Sequence, residues 1–99
     1  MRQDAAHWSL SSTPGSLRII TQAGGVYGTS NNQKNILVAL APARDFEMST
    51  KVTFNPTQNF QYPGIQVYLD DDNYIQLNWA YVVSGTTINL DREIAGTAT

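Results

Sequence analysis

From Phe46 to Phe54 the chain alternates with a period of two: Phe46, Met48, Thr50, Val52 and Phe54 fall on one side, Glu47, Ser49, Lys51 and Thr53 on the other. Successive residues of a strand point to opposite faces, so this pattern describes a strand with one face buried and the other wet. The same alternation recurs downstream. Ile65, Val67 and Leu69 share a side in one segment and Ile75, Leu77 and Trp79 in the next, with Gln66 and Tyr68, then Tyr74, Gln76 and Asn78, on the reverse. Apolar residues nowhere recur at three- and four-residue spacing for more than two turns, so helices are not the framework.

Turn chemistry divides the chain into strands expected at residues 7–10, 17–21, 35–41, 45–54, 64–69, 73–83 and 86–93. The dividers are Thr13-Pro14-Gly15, Gly24-Gly25, Ser30-Asn31-Asn32, Ala41-Pro42-Ala43, Asn55-Pro56, Pro63-Gly64, the Asp70-Asp71-Asp72-Asn73 run and Ser84-Gly85. Many short strands with such turns indicate an all-β, antiparallel sandwich of jelly-roll kind. With 99 residues there is room for one domain, residues 1–99, with one core. The apolar faces are expected inside and the amide- and ring-bearing faces in water, while the small, polar residues 94–99 are expected to fray.

Charge narrows the partners. A net charge of -2 and the absence of any Lys/Arg cluster give no field to collect phosphates, which argues against nucleic acid. No apolar run approaches the ~20 residues that span a bilayer, which argues against a membrane. Residues 1–8 lack the apolar stretch of a signal peptide, so an export signal is expected either to have been cut away or to lie on a longer parent. Cysteine is absent, which removes disulfides and thiolate metal sites.

Catalytic patterns are weak. Hydrolysis of a glycoside needs two carboxyl groups facing each other. The acids are Asp4, Asp45, Glu47, Asp70, Asp71, Asp72, Asp91 and Glu93, and no spacing singles out a pair. Asp70 to Asp72 occupy a hairpin loop, where adjacent carboxylates act as turn formers; a structural Ca²⁺ held with loop carbonyls is the alternative, and no cofactor is required. His7 has no second histidine to complete a metal pair, no serine sits in a Gly-x-Ser-x-Gly elbow, and Gly24-Gly25 is not followed by the lysine of a phosphate loop.

Binding chemistry is better supplied. Sugar rings present C–H faces that pack on Trp or Tyr, while amides bond their hydroxyls. The chain supplies the rings of Tyr68, Tyr74, Trp79, Tyr81, Trp8, Tyr27 and Tyr62 beside Gln66, Gln76, Asn78 and Lys51; the candidate carbohydrate-binding residues are Gln66, Tyr68, Tyr74, Gln76 and Asn78, with Trp79, Tyr81 and Trp8 as further aromatics. A solvated sheet face is the plainer reading of the first five. Alternation puts Trp79 on the apolar side, where core packing competes with binding, and Tyr81 follows it unless a bulge intervenes near Ala80.

Several segments in order carry a family resemblance: Trp8-Ser-Leu, Pro14-Gly-Ser-Leu-Arg-Ile19, the strand from Phe46 to Phe54, and Pro63-Gly-Ile-Gln-Val-Tyr-Leu-Asp-Asp-Asp-Asn-Tyr-Ile-Gln-Leu77. Together they resemble the opening half of the concanavalin-like sandwich domain found behind the catalytic propeller of family-43 β-xylosidases and arabinofuranosidases. The resemblance implies a non-catalytic accessory domain of a secreted bacterial polysaccharide-degrading system, contacting xylan, xyloglucan or β-glucan. A shortened β-xylosidase-like hydrolase, with Glu47 or Asp91 meeting across a subunit boundary, and a purely structural packing domain are the alternatives. The family's domain is about twice as long, so bare strand faces imply either a smaller self-closed sandwich or, as the favoured expectation, a homo-oligomer.

Overall fold

A computed structural model describes residues 1–99. The chain is built from antiparallel strands: β1 Trp8–Ser9, β2 Arg18–Ile19, β3 Gly64–Asp70, β4 Asn73–Val82, β5 Gly85–Ile94 and β6 Thr97–Ala98, preceded by one 3₁₀ turn, Ala5–His7. β1 and β2 form a small ribbon, and β3-β4-β5-β6 form a four-stranded sheet in sequential order. This meander is where the alternating segments were expected, and its long strands keep to the expected limits within a residue or two. No helix is long and apolar enough to cross a membrane.

Register fixes the faces. Tyr68 pairs with Tyr74 and Tyr74 with Glu93; Gln66 pairs with Gln76 and Gln76 with Asp91; Gly64 pairs with Asn78 and Asn78 with Asn89. The other face carries the rows Val67-Ile75-Arg92 and Ile65-Leu77-Leu90, and the pair Trp79-Ile88. The ladder is unbroken around Ala80, so Tyr81 stays on the side of Trp79; the one irregularity lies between Tyr68 and Asp70, at the hairpin.

Three expectations are corrected. Residues 35–41 and 45–54 form no strand. Their alternation is genuine, but a strand exists only where a neighbour completes its ladder, and between residues 37 and 59 no backbone N–H or C=O joins a backbone hydrogen bond. The C-terminus, expected to fray, is instead tied down. Ala95 (φ 50°) and Gly96 (φ 73°) make a two-residue reversal of left-handed residues that folds β6 onto β5. Thr99 N–H then donates to the Arg92 carbonyl at 2.8 Å, and Arg92 N–H to that of Thr99 at 3.0 Å.

The third correction concerns burial. The small core consists of Val26, Ile36 and Tyr74 with Tyr68 packed against it, and Tyr74 and Asn78 are each only 4 % exposed. The covered face is therefore the polar one. The N-terminal third crosses it and satisfies its groups, whereas Val67, Leu69, Ile75, Leu77, Ile88 and Leu90 on the apolar face stay exposed. Periodicity tells which residues share a face, not which face acquires a cover.

The N-terminal segment is clamped at the β3–β4 hairpin. Arg2 donates from Nη1 and Nη2 to the two carboxylate oxygens of Asp71, both at 2.8 Å, and Asn31 Nδ2 donates to Asp72 at 2.8 Å. The guanidinium and the Tyr68 hydroxyl, which donates to Asp71 at 2.7 Å, hold the Asp71 carboxyl below the usual carboxylate range. A lowered folded-state pKa adds stability that is complete above about pH 4 and is lost as pH falls through the lowered value. Arg2→Ala is expected to cost at most about 1 kcal/mol, the ceiling for a partly exposed pair. It should also flatten the acid limb of a melting-temperature profile between neutral and low pH. An unchanged acid limb would show that the clamp contributes nothing to folding.

Candidate functional site

The polar face holds the residues with binding chemistry, and their engagements differ. Tyr74 donates its hydroxyl to Glu93 Oε2 at 3.1 Å, deep in the covered region, and the Gly28 N–H reaches the same oxygen at 2.8 Å. Burial, followed by the Glu93 carboxylate, raises the Tyr74 hydroxyl far above its ordinary value, so it remains a donor. Tyr68 is likewise raised, by burial first and by its bond to Asp71 second. These two tyrosines are committed to holding the fold together.

Asn78 is buried and donates from Nδ2 to Asp91 Oδ2 at 3.3 Å. The strand opposite it explains Gly64. A Cβ there would collide with the Leu77 carbonyl oxygen and would stand 2.6 Å from Asn78 Oδ1 and 2.9 Å from Asn78 Cα. Only glycine lets β3 lie this close to β4.

Gln66, Gln76 and Asp91 form the middle row of the face, are half-buried, and keep polar atoms toward solvent. Two tyrosines outside the sheet lie near enough to this face for charge to be felt between them, and the Tyr62 ring meets that of Phe60 edge-on at 6.2 Å. Tyr62 is raised by burial and then by the nearby Asp91 charge and Tyr27, and Tyr74 feels the same Asp91 and Tyr27. Tyr27 is 66 % and Tyr62 40 % exposed. An amide-amide-carboxylate row beside two accessible rings can bond hydroxyls and stack on a flat C–H face at once.

The eight residues expected from the sequence are thus not one cluster. Gln66, Tyr68, Tyr74, Gln76 and Asn78 share the polar face, as alternation required, but Tyr74 is sealed against Val26 and Ile36, and Asn78 is buried as well. Trp79 and Tyr81 point to the opposite face and are half-buried. Trp8 stands in β1, paired with Ile19, and lines a separate shallow recess with Ser12 and Arg18. Sequence reasoning named Tyr27 and Tyr62 among the rings that could stack on sugar but did not join them to Asp91. Tyr27 and Tyr62 lie outside any strand, so no periodicity could place them against the sheet.

The hairpin carboxylates are all engaged by protein donors. Asp70 Oδ1 accepts from Asp72 N–H at 2.9 Å and from Asn73 Nδ2 at 2.8 Å, while Asp71 and Asp72 take Arg2 and Asn31. They fit the turn-forming reading, and no group of three His, Cys, Asp or Glu side chains in the chain has the spacing to hold a metal ion. His7 Nδ1 faces Asp4 Oδ2 at 3.0 Å.

Antiparallel all-β architecture and the order of these segments agree with one comparison. The family described as the beta xylosidase C-terminal concanavalin A-like domain matches residues 1–98. No curated protein and no solved structure matches the chain. With nearly the whole length matched, the chain belongs to the family of concanavalin A-like C-terminal domains of β-xylosidases.

Proposed function

We propose that the chain is a non-catalytic accessory domain of a secreted polysaccharide-degrading system, and that it contacts plant-type polysaccharide such as xylan, xyloglucan or β-glucan. The observation that carries this reading is the in-register, half-buried row Gln66-Gln76-Asp91, and the exposed rings of Tyr27 and Tyr62, within range of the charges on this face, support it. Membership in a family attached to β-xylosidases supports the choice of sugar. The contact needs neither a reaction nor a cofactor; it raises the local concentration of an attached enzyme at its polymer. Association of copies of the chain would present the site more than once and strengthen a weak contact further.

Affinity electrophoresis in xylan, xyloglucan and β-glucan gels tests the reading. The native chain should be retarded in at least one gel. Tyr62→Ala and Gln76→Ala should each lose at least half of that retardation, while Leu40→Ala, at a side chain 98 % exposed and outside the row, should keep it. Unshifted mobility of the native chain in all three gels would leave a purely structural packing role.

A further inference from the structure

We infer that Asp91 makes the polar face selective for uncharged polysaccharide: the chain takes neutral β-linked stretches and turns away stretches that carry uronic acid. Selectivity of this kind rests on the glycan contact proposed above and names the class of sugar that the contact admits.

Register places one carboxylate in the amide row and no cation against it. Asp91 pairs with Gln76, and Gln76 with Gln66. The side-chain bond to Asp91 runs from Asn78 Nδ2 to Oδ2 at 3.3 Å, an uncharged donor that leaves Oδ1 free to accept from a sugar hydroxyl. No ion pair includes Asp91, since those of the chain are Arg2–Asp71, His7–Asp4 and Lys34–Asp4. Arg92, its neighbour in β5, sits on the opposite face in the row of Val67 and Ile75. The Asp91 charge is felt at the hydroxyls of Tyr62 and Tyr74, and at Tyr62 no lysine or arginine offsets it.

The chemistry of the ligand then decides. A sugar hydroxyl donates to a carboxylate and gains a charge-assisted bond. A uronic carboxylate, ionised at neutral pH, only accepts, and at Asp91 it meets another acceptor of the same sign. Two unit charges ~6 Å apart at a protein surface weaken binding about two- to tenfold in about 0.1 M salt. Specificity of this sort comes from a repulsive element aimed at the wrong ligand, in addition to the contacts that hold the right one.

Titration calorimetry on the intact chain tests this, with two ligands: the neutral polymer that retards it most, and a lightly carboxymethylated form of the same polymer. At neutral pH and about 0.1 M salt the native chain should bind the carboxymethylated form about two- to tenfold more weakly. Raising the salt to about 1 M, where the screening length is ~3 Å, should close the gap. Asp91→Asn should bring the ratio of the two affinities close to one, whatever it does to each of them. Asp70→Asn removes the same unit of charge at the hairpin end of β3, about 13 Å from Gln66 and beyond the ~10 Å screening length, and should keep the native ratio. Circular dichroism checks that the variants keep their strands; if Asp91→Asn unfolds, the salt dependence of the native chain decides. Equal affinity for the two forms at the lower salt would overturn the selectivity and leave the glycan contact standing. So would a gap that survives the higher salt or persists in folded Asp91→Asn. A native chain that binds no neutral polymer would overturn the contact and the selectivity together.

Discussion

Gly64→Ala should remove about 3 kcal/mol or more from the stability of the domain, a large part of the 5–15 kcal/mol that holds a typical small protein together. Overpacking ordinarily costs about 1–3 kcal/mol, because neighbouring side chains rotate away. At Gly64 the obstacles are the Leu77 carbonyl and the Asn78 Cα, backbone atoms of the adjacent strand. They cannot move without opening the β3–β4 ladder, including the bond from Trp79 N–H to the Pro63 carbonyl at 2.9 Å. Gly25→Ala is the matched control. Its added Cβ meets nothing nearer than the Tyr27 nitrogen at 3.9 Å, and the change should stay within about 0.5 kcal/mol. Equal urea midpoints for the two variants would show that the close approach of β3 to β4 is not a constraint.

Removing the Glu93 side chain should be the next most damaging change. Glu93 is 1 % exposed, and Oε2 receives both the Gly28 N–H and the Tyr74 hydroxyl, while Oε1 has no partner. Glu93→Ala leaves one buried donor, the Tyr74 hydroxyl, and one part-buried donor, the Gly28 N–H, without an acceptor, at about 1–3 kcal/mol for the buried one and less for the other, and opens a cavity. Relief of the desolvated carboxylate offsets part of this, so the expected net loss is about 2–3 kcal/mol. For a domain of this size that is a fall of roughly 10–20 °C in Tm. Glu93→Gln keeps a carbonyl for both donors without the charge and should melt within about 1 kcal/mol of the native protein. If Gln is as damaging as Ala, the charge itself holds the N-terminal segment down. If Ala is harmless, the Gly28-Glu93-Tyr74 cluster contributes nothing.

Much of the fold was legible because the meander β3-β4-β5 is local. Period-two patterning, Pro63-Gly64, the Asp/Asn hairpin and Ser84-Gly85 place its strands without any knowledge of distant contacts. The segment from Phe46 to Phe54 carries an equally clear alternation and forms no strand, because alternation is a property of side chains and a ladder is a property of two backbones. β6 was missed for the opposite reason: the turn that creates it puts Ala95 at positive φ, and alanine gives no turn signal. The candidate site was half legible. Shared faces follow from register, so Gln66 and Gln76 were correctly grouped, whereas the cover over Tyr74 and Glu93 comes from Val26, Gly28 and Ile36, which lie far away in sequence.

The clasp between the two ends of the chain sets an order of events. Arg2 finds Asp71 across 69 positions and Gly28 finds Glu93 across 65, while every ladder of the meander closes between successive strands. Contacts between distant residues form late because closing a long loop costs entropy before anything is gained. The N-terminal segment of the domain therefore gains its full grip only once β3, β4 and β5 have formed. Until then the tyrosine-rich side of the sheet lies open, and a nascent or locally unfastened chain passes through a form in which Tyr74 and Glu93 face water.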